Sequence, residues 1–373
     1  MWRSTVEAKC PILAKIPSIR RAAILAAIAI LPAAGCAAAP LRPVWRPPAA
    51  EAGFVAVRDG RLFLDGRRYR FVGVNVYSLA SFPPGSGKYY CGRPHSDREV
   101  EEIMREVAAM GGNVIRFDVY QSFAAGADLS RIDLIVALAR RYGLRLIPTL
   151  ENQWADCTAG GYKTADWYRR GYREPYGGYP LSFRDHVRLI VSRYRDEPVI
   201  LMWQVMNEAG GSEWWRPDDG KPLTAFAADI AGLIKGLDRG HPLCLGTAGL
   251  GRAGLGPADF TDLADIVSLD AIEAHDYDRE WDPLPAVLRQ AQAIAVSAGK
   301  PFFVGEMGIP SPPFDRERRA ELTRLKLEAA WDAGVDGYLL WSYRAGDGTG
   351  RDFDADDPLF GIVRGFTAAH PVR

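Results

Sequence analysis

Two glutamates stand where two apolar runs stop. Glu208 closes Val199-Ile200-Leu201-Met202-Trp203-Gln204-Val205-Met206-Asn207-Glu208, and Glu306 closes Pro301-Phe302-Phe303-Val304-Gly305-Glu306. Each run is short, apolar and free of alternation, the pattern of a strand buried on both faces. A carboxylate in such a place is costly unless it has partners or a task. If the two strand ends meet on one face, the pair supplies what cleavage of a glycosidic bond requires. One carboxyl protonates the leaving oxygen, and a second carboxylate lies beneath the anomeric carbon.

The elements around these runs must bring the ends together. A hairpin comes first: Phe54–Val57, a turn at Asp59-Gly60, then Arg61–Leu64. The chain then alternates between strand-like and helix-like segments. Strands are expected over Arg70–Tyr77, Asn113–Phe117, Arg145–Leu150, Val199–Met206, Leu243–Thr247, Asp270–His275, Phe302–Gly305 and Gly337–Trp341. Helices are expected over Asp97–Met110 with Ser96 as N-cap, and over Asp128–Tyr142, Ser182–Arg195, Pro222–Leu237, Pro285–Ser297, Arg316–Asp332 and Asp357–Ala368. This alternation predicts an α/β chain folded as a single (β/α)8 TIM barrel with a short N-terminal β-hairpin. A doubly wound sheet would also alternate, but it rarely needs eight strands and usually carries a glycine-rich phosphate turn, which is absent here.

With these residues in place the chain resembles family 5 of the glycoside hydrolases. The resemblance is carried by Asn207-Glu208 after the fourth barrel strand and by Val304-Gly305-Glu306-Met307-Gly308 at the seventh. Arg116, His275-Asp276-Tyr277 and Trp341, at the second, sixth and eighth strands, extend it over residues 54–373. It implies a retaining hydrolase in which Glu208 is the acid and later the base, and Glu306 is the nucleophile. Glu208 would need a raised pKa, from partial burial and from the charge of Glu306. Arg116 would keep Glu306 ionised, Tyr277 would donate to the same carboxylate, and Asn207 would hold the sugar 2-hydroxyl. Trp341 would carry the sugar ring and His275 a hydrogen bond at the rim. The family's cellulase-like members place a histidine at the third strand end, where this chain reads Leu150-Glu151-Asn152-Gln153-Trp154. Asn152 followed by Trp154 is similar to the β-mannanase branch, which favours a mannan-type β-1,4-linked polysaccharide over cellulose or β-glucan. The loop from Glu151 to Pro180 holds Trp154, Trp167, Tyr168, Tyr172, Tyr176 and Tyr179. About half of them are expected to stack on sugars and the rest to pack on neighbours, and Trp214, Trp215 and Trp281 extend this aromatic wall.

Composition frames these expectations. Lys plus Arg and Asp plus Glu are both 46, so a net charge of zero gives no support to nucleic-acid binding. Arg3, Lys9, Lys15, Arg20 and Arg21 against Glu7 alone precede the short apolar stretch Ala22–Leu31, the form of an export signal. Ala33-Ala34-Gly35-Cys36 is similar to a lipoprotein cleavage site with Cys36 acylated, although cleavage near Ala37–Ala39 stays open. Residues 1–36 are thus read as a signal peptide, 37–52 as an Ala/Pro-rich tether and 53–373 as the catalytic domain. The expected product is a monomer exported to the periplasm or cell surface and touching membrane only through its N-terminal anchor. Cys91 and Cys157 lie in two long loops and would pair in an oxidising compartment, or stay as two free thiols. No cofactor or metal is expected, because none of the five histidines stand at ligand spacing. Two other readings use the same residues: an exo-acting β-mannosidase or transglycosylase, and a surface carbohydrate-binding protein without turnover.

Overall fold

The computed structural model describes residues 53–82, 91–123, 128–158, 160–210 and 221–370. The leader, Cys36, the tether, Trp214 and Trp215 lie outside the described residues. Three short antiparallel strands open the fold: β1 (Val55–Arg58), β2 (Arg61–Leu64) and β3 (Arg67–Arg68). Eight parallel strands follow: β4 (Phe71–Asn75), β5 (Val114–Asp118), β6 (Arg145–Thr149), β7 (Trp203–Gln204), β8 (Leu243–Cys244), β9 (Ile272–Asp276), β10 (Phe302–Met307) and β11 (Gly337–Leu340). They neighbour one another in the order β8-β7-β6-β5-β4-β11-β10-β9, and a bridge between Cys244 and Ala271 joins the two ends. This is the (β/α)8 barrel expected from the alternation.

Among the described residues the outer layer comprises α1 (Asp97–Ala109), α2 (Ser130–Tyr142), α3 (Ala165–Arg169), α4 (Phe183–Tyr194), α5 (Lys221–Leu237), α6 (Pro257–Ala264), α7 (Ala286–Ser297), α8 (Arg316–Asp332) and α9 (Pro358–Ala369). Their starts follow from local chemistry. Ser96 and Glu99 form a reciprocal capping box before α1, and the side chains of Ser182, Asp315 and Asp357 cap α4, α8 and α9. Strands β4, β5, β9 and β10 are buried at every residue, which explains the apolar runs of β4 and β10 and obliges the polar residues of β5 and β9 to find partners.

Three departures from the expected elements have physical causes. The ladder over Val199–Met206 is regular only at Trp203–Gln204, because register between β6 and β7 is kept by single bridges at Leu146–Ile200 and Asn152–Asn207 on either side. The sixth barrel strand begins and ends later than Asp270–His275, so that Asp276 still pairs with Met307. Helices α3 and α6 were not expected. The first is only five residues long, and the second starts at Gly256-Pro257, a pair that reads equally well as a turn.

Candidate active site

Arg116 is the hub. It sits mid-strand on β5, 1% exposed, and its guanidinium donates to four acceptors, three on the strands β4, β7 and β10 and one just after β7. Nη1 reaches Glu306 Oε1 at 2.7 Å and Asn75 Oδ1 at 2.8 Å, Nε reaches Gln204 Oε1 at 2.7 Å, and Nη2 reaches Asn207 Oδ1 at 2.6 Å. A buried guanidinium tolerates this position only because its fork is filled. It therefore serves the site by holding Glu306 and Asn207.

Glu306 is 3% exposed at the C-terminal half of β10. Its Oε2 accepts from the Tyr277 hydroxyl at 2.8 Å. Burial pushes its carboxyl up, against the pull of His275 and Arg116, and the net direction is raised. Glu208 follows β7 with φ of +50°, a left-handed conformation that costs a non-glycine residue on the order of 1 kcal/mol or more. The flanking backbone bonds Asn207 N–Glu151 O at 2.7 Å and Ala209 N–Gly246 O at 2.8 Å hold it there. Its Oε1 accepts from His275 Nδ1 at 2.8 Å and its Oε2 accepts from Trp154 Nε1.

Two expectations are corrected here. His275 is not a rim residue but 5% exposed, with Nδ1 facing both Glu208 and, at 3.4 Å, Glu306 Oε2. Burial opposes its charging, yet Glu306, Glu208 and Glu273 outweigh burial and raise its pKa to about 10. Glu208 in turn is not raised. Burial lifts it, but the bond and charge of His275, the bond from Trp154 and the charge of Arg116 bring it below the usual carboxylate value. Of the two groups, His275, 2.8 Å away, therefore holds a proton more tightly than Glu208.

A layer beneath these groups escaped the sequence reading. Glu273 Oε1 lies 3.8 Å from His275 Nε2, and its Oε2 accepts from Gln204 Nε2 at 2.7 Å. A Cβ at Gly305 would meet Glu273 Oε2 at 2.6 Å, so any other residue there would have to push this hydrogen-bonded carboxylate aside. Asn75 Nδ2 donates to Gly305 O at 3.0 Å. A polar residue ending β4 and a glutamate two places before His275, on the same side of a strand, were the available signals.

The site opens into a cleft of about 710 Å³ lined by Arg116, Asn152, Trp154, Asn207, Glu208, Tyr277, Glu306 and Trp341, with Tyr77, Asp118, Arg252 and Arg351 added to the expected residues. Asn207 Nδ2 donates to Asn152 Oδ1 at 3.0 Å, and Asn152 Nδ2 donates to Asp156 O at 2.8 Å. Cys91 and Cys157 form a disulfide on this rim. Trp341 stacks on Tyr77 at 5.5 Å, and Arg351 lies 5.3 Å over the Tyr277 ring. Trp167, Tyr168 and Tyr172 are buried against Phe183 and Phe226, whereas Trp154 reaches the cleft and Trp281 is exposed. Among the described residues one set has the spacing of a metal site, with single donor atoms of Glu208, His275 and Glu306 within 4.8 Å of one another. These atoms already face one another through the His275 Nδ1 proton.

A family model described as cellulase (glycosyl hydrolase family 5) matches residues 77–346, well over half of the chain. Mannan endo-1,4-beta-mannosidase 1 of Solanum lycopersicum is 25% identical over 274 residues, which cover 62% of this chain and 65% of that protein. This chain thus spans just under two thirds of the tomato protein. A probable mannan endo-1,4-beta-mannosidase F of Emericella nidulans is 24% identical over 331 residues, covering 76% of this chain and 72% of the relative. The fold is similar to that of the endo-beta-1,4-mannanase from Thermotoga petrophila, with a TM-score of 0.65 and 21% identity over 82% of this chain and 77% of that one.

Proposed function

This chain belongs to glycosyl hydrolase family 5, and from that premise we propose that it is a retaining endo-β-glycanase acting on mannan-type β-1,4-linked polysaccharide. One observation carries the reading. An oxygen of Glu208 and an oxygen of Glu306 lie within 4.8 Å, with His275 Nδ1 at 2.8 and 3.4 Å from the two carboxylates, which supports the short separation of retaining pairs, about 5–5.5 Å, over the roughly 6.5–9.5 Å that leaves room for a water. The two carboxylates are also dressed for different tasks. Glu306 has a guanidinium and a phenol holding it in place, as a nucleophile needs. Glu208 faces a proton donor and the open cleft, as an acid needs.

In this reading Glu306 attacks the anomeric carbon while Glu208 delivers a proton to the leaving oxygen. The proton passes from His275 Nδ1 to Glu208 along their hydrogen bond, which leaves a neutral imidazole and a neutral acid. Once the glycosyl ester removes the charge of Glu306, Glu208 accepts a proton from the incoming water and the ester is hydrolysed. Trp341 provides the ring face for the sugar at the cleavage point, and Asn207 a hydrogen bond to its 2-hydroxyl. Mannan is favoured over β-glucan by Asn152 and Trp154 at the third strand end and by the names of the tomato and Emericella relatives. Export and acylation of Cys36 belong to the same proposal. Cys36→Ala should release the protein from the membrane fraction.

The test is reducing-sugar release from galactomannan, glucomannan, carboxymethyl cellulose, xylan and mixed-linkage glucan, for wild type and Glu306→Ala. Activity on mannans that falls at least about 10⁴-fold in the variant is expected. Release of mannose alone would replace endo by exo action. Binding without turnover in both proteins would leave a carbohydrate-binding barrel.

A further inference from the structure

Asp118 is a cleft residue to which the reaction above gives no task. It ends β5, two residues beyond Arg116 and on the same side of the strand, 4% exposed and in the cleft lining. Arg116 gives it no hydrogen bond, since that guanidinium is filled by Asn75, Gln204, Asn207 and Glu306. Among the described residues its one side-chain partner is Tyr120. A carboxyl this deep with a single neutral partner leaves hydrogen-bonding capacity unmet, in a wall that faces a binding cleft.

Its place along the cleft follows from the proposed roles of the two carboxylates, on which this inference rests. Glu208 protonates the departing sugar, so the leaving half lies on its side of the cleft. The retained sugar rests on Trp341, and the chain beyond it continues past Tyr77, which stacks on Trp341, into the part of the cleft walled by Asp118. We propose that Asp118 is a sugar-binding residue of this retained half, where its carboxyl takes the hydroxyls of a neutral pyranose while the neighbouring cleft acids Asp156 and Asp347 disfavour a uronate.

The electrostatics favour that class. Burial pushes the Asp118 carboxyl up to about 8, with the charges of Glu306 and Glu151 adding to the effect while Arg116 and Tyr120 oppose it. At pH 7 it is therefore a neutral acid that donates once and accepts as well, the pattern of a sugar hydroxyl's complement. Asp156 and Asp347 line the same cleft and act on the adjacent Tyr77, so this end carries negative charge that a sugar carboxylate would meet.

Binding of manno- and cello-oligosaccharides by calorimetry tests this, with every protein carrying Glu306→Ala to prevent turnover. At pH 6, Asp118→Ala should weaken binding about 10- to 100-fold, while Asp118→Asn, which keeps one donor and one acceptor, should stay near the parent. Between pH 7 and 9 the parent should lose affinity as Asp118 ionises, and Asp118→Asn should not. This second comparison needs no destabilising variant. A glucuronate-ended oligosaccharide should bind more weakly than its neutral counterpart. Affinity within twofold for Asp118→Ala, or the same pH dependence in parent and Asp118→Asn, would overturn the assignment alone. Wild type inactive on every backbone, with no oligosaccharide bound, would overturn the parent reading and this one together.

Discussion

The two ends of the barrel solve opposite problems with the same eight strands. At the N-terminal end, Phe71, Val114, Ile147, Leu201, Met202, Cys244, Ala271, Phe303 and Leu339 fill the interior, and the hairpin presses Val55 and Leu62 onto them. At the C-terminal end the same strands deliver Asn75, Arg116, Gln204, Glu273, His275 and Glu306, nearly all buried and bonded to one another. The apolar end is held by non-directional burial, which tolerates exchange of one aliphatic residue for another. The polar end is held by directed bonds, each of which strands a buried partner if broken. The first end should therefore fail in stability while leaving catalysis alone, and the second should fail in both.

Arg116→Ala is the strongest way to break that contrast. It removes donors from four acceptors at once, three of them buried, and leaves Glu306 without its guanidinium. We expect a loss of kcat/KM of about 10³-fold or more and of roughly 3–5 kcal/mol in stability. Kinetics on galactomannan and urea unfolding measure the two. A variant with unchanged stability would mean that the polar end is not the cooperative unit described here.

Next in size is the Cys91–Cys157 disulfide, which bridges the loops after β4 and β6 across 66 residues. The chain-entropy model assigns a closed loop of that length about 4 kcal/mol. The same loop carries Trp154 to Glu208 and ties Asp156 O to Asn152, so the double serine variant should lower kcat as well as the unfolding midpoint. Loss of stability alone would show that the clamp does not position the acid.

At the other end, Leu62→Ala should cost about 2–5 kcal/mol, since the side chain is fully buried beneath the strands, and should leave KM and kcat within about twofold. An altered KM would show that packing at the hairpin reaches the cleft.

The same contrast explains what the sequence disclosed. Runs such as Phe302–Glu306 and Val114–Phe117 announce their strands because both faces are buried, and the periodic helices with Ser96, Ser182 and Asp315 announce their caps. The paired carboxylates were legible because charge at the end of an apolar run is rare. Gln204 and Glu273 were not, because a polar residue inside a strand shows nothing of which partner waits across the barrel. Asp118 lies two residues from Arg116, but only the four acceptors around the guanidinium reveal that its bonds are spent elsewhere. The left-handed backbone at Glu208 and the burial of His275 likewise depend on long-range contacts that no local pattern encodes.

The finest test concerns the charge on His275. Glu306, Glu208 and Glu273 together overcome burial to raise its pKa to about 10, from an ordinary value near 6.5. A group with a raised folded value adds stability that is complete below the unfolded value and lost as pH climbs through the folded one. The melting temperature of wild type should therefore exceed that of His275→Gln by most at pH 6, by less at pH 8 and by least at pH 10. The signal is a change in a difference, and so the smallest of the four. Leu62→Ala, which removes no titrating group, should show a constant deficit over the same range. A His275→Gln deficit that is flat or grows with pH would mean that the imidazole is neutral in the folded state. Glu208 would then lack the neighbouring proton assigned to it, and its acid role would have to rest on its own titration.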